Sequence, residues 1–175
     1  MAHDHLEVER SWVIKAVPDK SLIAHSVYHE IGYLFHDPGE LRVYAKKLLD
    51  GWKYGITVKS DGDLARQEWE DKEFPEWAFN IVWPKTKTNR IYKTRYYIDI
   101  IHNNIKLLIE VDEYLENCED LIRMECEFPS QEAAESFWLP SWIEGFEVTN
   151  DSRFKNKNLA RLSREEFKAL KNSKL

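Results

Sequence analysis

Residues 6–14 read LEVERSWVI, and the alternation within that stretch decides the fold class. Side chains two apart on a strand share a face, so Leu6, Val8, Trp12 and Ile14 line one side while Glu7 and Glu9 stand on the other. One apolar and one charged face marks a strand that covers a core with one side only. The same period returns late in the chain, where Met124, Cys126 and Phe128 alternate with Glu125 and Glu127. Between them, candidate strands run near 30–35, 40–46, 52–59, 65–71, 90–100 and 106–114. With 6–14 and 122–128 they make about eight, a mainly β chain with a minor helical part.

The links carry turn chemistry. HDPGE at 36–40, LDG at 49–51, SDGD at 60–63 and HNN at 102–104 are dense in Gly, Asn and Asp, and hairpin links of this kind make antiparallel neighbours. Helices are predicted near 18–26, over 130–138 after Pro129-Ser130, and over 163–171, where Ser163 and Glu166 have capping-box spacing. FPEW at 74–77 is a candidate start for a further short helix. No repeat or linker divides the chain, and 175 residues with 43% hydrophobic content suit a single domain over 1–175, its core spanning 6–160.

Composition narrows the function classes. A formal net charge of −6 repels polyanions such as duplex nucleic acid, so any anion site must be local. Cys118 and Cys126 have neither CxxC spacing nor a neighbouring His pattern, which argues against zinc and a disulfide framework and fits a reducing, cytoplasmic setting. The stretch MAHDHLEVER lacks the apolar core of a signal peptide, and no run of 18 apolar residues predicts a membrane span. Without a P-loop, nucleophile elbow or dinucleotide-binding glycine pattern, a phosphate site would be built from side chains.

Charge at strand period is the functional signal. Acidic pairs two apart occur at Glu7/Glu9, Glu68/Glu70, Glu110/Asp112 and Glu125/Glu127, and basic residues fall at comparable positions: Arg42, Lys59, Arg66, and Lys93 with Arg95. Solvated faces of an ordinary sheet also carry such charges. Like charges side by side on a sheet repel mildly, however, and hard cations such as Mg²⁺ take carboxylate oxygens and share them with substrate phosphates. If the strands close into a barrel, one face lines the interior. A tunnel lined by Glu together with Arg and Lys suits a metal-bound polyphosphate.

Other candidates have blander readings. His3, Asp4 and His5 form a metal-like cluster with no further anchored ligand nearby. His25, His29 and His36 are read as surface or tunnel-rim residues, and Trp69, Trp77, Trp83, Trp138 and Trp142 mostly as packing between the wall and its helices.

The segments LEVERSWVI, GELRVY, TVKSDGDLARQEWE, KTRYYI, LIEVDEY, MECEFPSQEAAESF and FEVTNDSRFKNKNLA, in that order and across nearly the whole chain, resemble the CYTH family of triphosphate tunnel metalloenzymes. The resemblance implies an eight-stranded antiparallel closed tunnel with flanking helices. Members hydrolyse inorganic triphosphate, nucleoside triphosphates or thiamine triphosphate, or act as class IV adenylate cyclases. By position, Glu7, Glu9, Glu125 and Glu127 would bind metal, Mg²⁺ or Mn²⁺, with Asp112 contributing. Arg42, Lys59, Arg66 and Arg95 would hold the phosphates and serve catalysis, with Lys93 beside them. Glu68 and Glu70 would orient their forks, and Lys155 or Lys157 would reach over the tunnel mouth.

Two positions depart from the family pattern. Its ExExK opening would have lysine where Ser11 stands, and Tyr44 occupies the place of a frequent second arginine. Lys15 lies about 13 Å along the strand from Ser11, too far to substitute. The expected activity is metal-dependent hydrolysis of a triphosphate-containing small molecule or nucleotide, by a monomer or homodimer. Capture of a phosphorylated ligand without turnover is the alternative that Ser11 and Tyr44 favour, and cyclisation of ATP is a third.

Overall fold

Runs rich in Val, Ile, Tyr and Trp, cut by tight turns, form nine strands in the computed structural model, which describes residues 3–35, 37–61 and 65–173. They are β1 (His3–Ile14), β2 (His25–Phe35), β3 (Glu40–Leu48), β4 (Gly51–Lys59), β5 (Ala65–Asp71), β6 (Arg90–His102), β7 (Ile105–Tyr114), β8 (Ile122–Glu127) and β9 (Gly145–Glu147). Short helices α1 (Glu76–Val82), α2 (Gln131–Glu135), α3 (Asn156–Leu159) and α4 (Arg164–Asn172) flank them. His36 and the tip of the SDGD link lie outside the described residues.

All pairings are antiparallel, in the order β5-β4-β3-β2-β6-β7-β8-β1, and β1 pairs back onto β5. The eight strands therefore close into a barrel and leave no free edge among themselves. β9 takes over the side of β1 that β5 leaves: Leu6 faces Gln67 on β5, whereas Val13 faces Phe146 on β9. The Asn103-Asn104 loop between β6 and β7 has φ of 48° and 62°, the left-handed geometry of a two-residue hairpin.

The helix expected near 18–26 is not formed. Only Lys20–Leu22 makes a 3-10 turn, with Asp19 accepting from the Ser21 amide, and from His25 onward the backbone is strand. Pairing against Tyr97 at His25 begins a ladder that outweighs local helix preference. The helix expected over 130–138 is shortened to α2, capped by Ser130; beyond it Phe137 turns in against Trp12 and Phe128. The capping box of Ser163 and Glu166 opens α4 as its spacing predicts.

Three apolar clusters hold the barrel. Val8, Trp12, Ile98, Ile109, Met124 and Cys126 form the outer face beneath Ala134 of α2 and Phe137. Val43 and Ala45 pack against Phe79 of α1. The third cluster lies inside: Val13, Ile31, Tyr33, Ile91 and Tyr114 meet Leu121, Phe154, Leu159 and Phe167. Inward stripes turn apolar toward one end, as in Glu9, Ser11, Val13 on β1 and Arg95, Lys93, Ile91 on β6. There the C-terminal segment forms a floor.

Trp77, Trp138, Trp142 and Trp69 are exposed, at 69%, 63%, 43% and 38%, which corrects the expectation that they are core. Trp69 on β5 and Trp77 on α1 sit on the outer side of their elements, Trp138 and Trp142 lie in the irregular segment between α2 and β9, and Trp138 lies edge-on to His102. Trp83 does pack, stacked on Phe79 and under Arg90. Cys118 and Cys126 are buried and free. Among the described residues no helix is long and apolar enough to cross a membrane. Phe154→Ala, by emptying the floor, is expected to lower unfolding free energy by about 3–5 kcal/mol. Trp138→Ala should change it by about 0.5 kcal/mol or less; urea unfolding of both variants checks the contrast.

Candidate active site

Alternation along eight closed strands turns every second side chain inward, and these converge on one cavity of about 320 Å³. Both signs of charge line it. β1 brings Glu7, Glu9 and Ser11, β5 brings Arg66, Glu68 and Glu70, and β8 brings Arg123, Glu125 and Glu127. Arg42, Tyr44 and Lys46 come from β3, Lys59 from β4, Lys93 and Arg95 from β6, and Glu110 from β7. Thr149, Lys155 and Asn156 join them from the C-terminal segment.

A buried charge needs a partner, and the tunnel supplies partners internally. Lys59 Nζ stands 2.7 Å from Glu7 Oε1 and 2.6 Å from Glu68 Oε2, and Arg66 Nε donates to Glu7 Oε2 at 2.6 Å. Burial works against ionisation of Glu7, but Lys59 and Arg66 outweigh it and hold the carboxyl well below the usual range. On the opposite wall, Arg95 donates to both oxygens of Asp112, at 2.6 and 2.7 Å, to Glu125 at 2.6 Å, and to Glu110. Lys93 is 1% exposed and pairs with Asp112; burial and the neighbouring Arg95 push its ammonium down to about 8. Asp112, fully buried behind this pair, stays lowered because Arg95 and Lys93 offset its burial.

Glu9 is the exception. Burial and the charges of Glu125 and Glu7 push its carboxyl up to about 8, and Arg66 at 3.7 Å offsets only part of this. Glu9 also faces Glu127 across the β1–β8 ladder. Among the described residues no three His, Cys, Asp or Glu side chains already converge as a ligand set. The crowding of Glu9, Glu125 and Glu127 nevertheless fits a hard divalent ion, which takes carboxylate oxygens and removes their mutual repulsion.

The inward face thus gathers Glu7, Glu9, Arg42, Lys59, Arg66, Glu68, Glu70, Lys93, Arg95, Glu125 and Glu127, with Asp112 behind it. Glu70 accepts from Tyr44 at 2.6 Å and lies 3.2 Å from Lys72. A Cβ on Gly55 would fall inside the Tyr44 ring, so the absent side chain there gives Tyr44 its room. Of the two C-terminal lysines, Lys155 lines the cavity. Lys157 instead approaches Asp61 at 3.2 Å and the Gly39 carbonyl at 3.4 Å. Lys15 is exposed and paired with Glu144 outside the tunnel.

Several inward residues escaped the sequence reading, Glu40 and Lys72 among them, and three carry particular weight. Arg123, two before Glu125, donates to Glu125 and to the Phe154 carbonyl at 2.5 Å. Lys46, four after Arg42, lies 4.7 Å from the Tyr44 ring centroid. His29, expected at the surface or rim, is 4% exposed and faces the cavity, because β2 begins earlier than its apolar run suggests. Strand parity carried from Glu125, Arg42 and Ile31 would have found all three. The nitrogen atoms Nε of Arg42, Nε of Arg123 and Nε2 of His29 are buried without hydrogen-bond partners among the described residues.

No family model matches the chain. An inorganic triphosphatase of Nitrosomonas europaea is 36% identical over 154 residues, covering 88% of this chain and 96% of that protein. An inorganic triphosphatase of Acetivibrio thermocellus is 33% identical over 167 residues, 93% of this chain and 97% of its own length. A crystal structure of an inorganic triphosphatase superposes with a TM-score of 0.62 at 35% identity, over 89% of this chain and 95% of that one. A Pyrococcus furiosus protein, 18% identical with a TM-score of 0.53 over 91% of this chain and 99% of its own, shares the fold alone.

The position of Glu9 has a consequence for pH. Its carboxyl takes up a proton on folding between about 4.5 and about 8, so stability falls as pH rises through that window and the penalty is complete above it. In metal-free buffer, wild type should lose about 1–2 kcal/mol relative to Glu9→Gln between pH 5 and 8. Urea unfolding across that range measures it; parallel curves would show that Glu9 ionises normally.

Proposed function

The chain belongs to the inorganic triphosphatase family, and on that footing we propose that its tunnel hydrolyses the terminal phosphoryl group of tripolyphosphate or a related nucleoside or organic triphosphate, with Mg²⁺ or Mn²⁺. One observation carries this reading: Arg42, Lys59, Arg66, Lys93, Arg95, Arg123 and Lys155 converge on a single cavity whose opposite charges are carboxylates. The ordered motifs further support a CYTH-type domain extending over the 175 residues. Lack of affinity for duplex nucleic acid accords with a net charge of −6, and free Cys118 and Cys126 accord with a cytoplasmic protein, taken as a monomer or homodimer.

In this reading Arg42, Lys59, Arg66 and Arg95 grip the phosphoryl oxygens, since guanidinium forks match them bidentately and lysine adds a point charge. The Nε atoms of Arg42 and Arg123 offer donors that no acceptor among the described residues uses. Glu68 and Glu70 keep Lys59 and Tyr44 in position. Glu9, Glu125 and Glu127, with Glu7 and Asp112 nearby, would hold the divalent ion, which would supply positive charge against the phosphoryl oxygens. Fixed donors already oriented in the tunnel stabilise the charge that spreads over the transferring phosphoryl group without reorganising.

The second reading, capture without turnover, rests on Ser11. Glu7, Glu9 and Ser11 leave the inward face of β1 without an ammonium, so every tunnel cation comes from another strand or the C-terminal segment. Phosphate release from tripolyphosphate, ATP and thiamine triphosphate with each metal decides between the two readings. Release from tripolyphosphate is expected, and Arg66→Gln should lower kcat/KM about ten- to a hundredfold while retaining the fold. Micromolar binding with no release from any of the three would leave capture as the function.

A further inference from the structure

His29 has no role in the reading above, yet it sits among the groups that perform it. On β2 its register partners are Lys46 of β3 on one side and Lys93 of β6 on the other. It lines the cavity, is 4% exposed, and its Nε2 has no hydrogen-bond partner among the described residues. A buried polar atom without a partner costs about 1–3 kcal/mol, and such atoms in a native fold call for a ligand or a function. The surroundings fix the sign of that ligand. From β3 and β6 four cations act on the ring, namely Arg95, Lys93, Lys46 and Arg42. The carboxylates beside these cations are committed to other groups: Asp112 to Lys93 and Arg95, Glu110 to Arg95, Glu40 to Arg42, and Glu70 to Tyr44 and Lys72.

We infer that His29 is a further anion-binding residue of the tunnel, donating from Nε2 to a phosphoryl oxygen of the bound polyphosphate and taking up a proton as that anion enters. This deepens the proposed function by adding a group on β2, and it rests on that reading only for the identity of the anion. Burial and then the four cations keep the imidazole neutral, well below its ordinary range. A polyphosphate between those cations reverses the local field and favours the imidazolium, whose two N–H groups are both donors. Because binding then takes up a proton, affinity should weaken as pH rises.

The probe is imidotriphosphate, a non-hydrolysable analogue, titrated into the full chain in buffer without divalent ions. Affinity of His29→Gln and His29→Asn is followed by calorimetry, and the wild-type imidazoles by ¹⁵N NMR. Both variants should bind about tenfold more weakly with a flatter pH dependence. In the wild type, the imidazole that remains neutral in the free protein should shift toward the protonated position on saturation. Unchanged affinity in both variants, or a ring signal that does not move at saturation, overturns the inference. If one variant fails to fold, the other and the wild-type spectrum still decide. Absence of phosphate release by a wild type that binds the analogue would defeat the hydrolase reading and leave the His29 contact standing.

Discussion

Everything in this molecule follows from enclosing charges of both signs inside a closed β-barrel. Moving an ion from water into protein costs several kcal/mol unless it is paired and hydrogen-bonded. Here the interior meets that requirement through alternation of carboxylates and basic groups around the wall: Glu7 between Lys59 and Arg66, Asp112 between Lys93 and Arg95, Glu125 between Arg95 and Arg123. Such pairs add little net stability over an apolar interior. The outer clusters around Trp12 and Phe79 and the floor around Phe154 supply the burial that holds the barrel closed. Stability and site chemistry are thus assigned to opposite faces of the same strands.

The division runs along the strands as well as across them. On β1, β6 and β7 the inward face passes from charged and polar side chains to Val13, Ile91 and Tyr114, which join the apolar floor. At that junction Arg123 donates to the Phe154 carbonyl and Tyr114 donates to Asn156. The C-terminal segment is therefore tied both to the floor and to the last charged layer, with Lys155 and Asn156 in the lining. A change in how that segment seats would reach the tunnel cations directly.

Much of this was legible in the chain because a strand period of two is hard to imitate. The alternation in LEVERSWVI and MECEF fixed which side of β1 and β8 faces inward, and with it the inward carboxylates. What escaped did so for physical reasons. His29 lies in a stretch whose Ile31 and Tyr33 suggest a wholly apolar strand, because the inward face there is crossing from tunnel to floor. The 18–26 segment has the residues of a short helix, but β6 offers it a ladder that only the closed barrel creates. Exposure of Trp77 depends on which side of α1 meets the wall, and that of Trp138 on the course of the irregular segment after α2; no residue spacing encodes either.

The pairing of charges along the tunnel wall also defines what can enter it. A simple anion would draw Arg95 from Asp112 and Glu125 and leave those carboxylates with Lys93 and Arg123 alone; a simple cation would draw Glu7 from Lys59 and Arg66. Either exchange exposes charge to the low-dielectric interior, where removing one partner of a buried pair costs about 3–5 kcal/mol. A ligand that carries both signs, anionic oxygens together with a divalent ion, can replace both halves of each pair at once. Glu9, the carboxyl with the weakest compensation, and the unpartnered nitrogens of Arg42, Arg123 and His29 are the places where the internal pairing is incomplete. They lie on β1, β3, β8 and β2, around the same cavity, so the groups left to pair with a ligand include both a carboxylate and nitrogen donors, as a mixed-charge ligand requires.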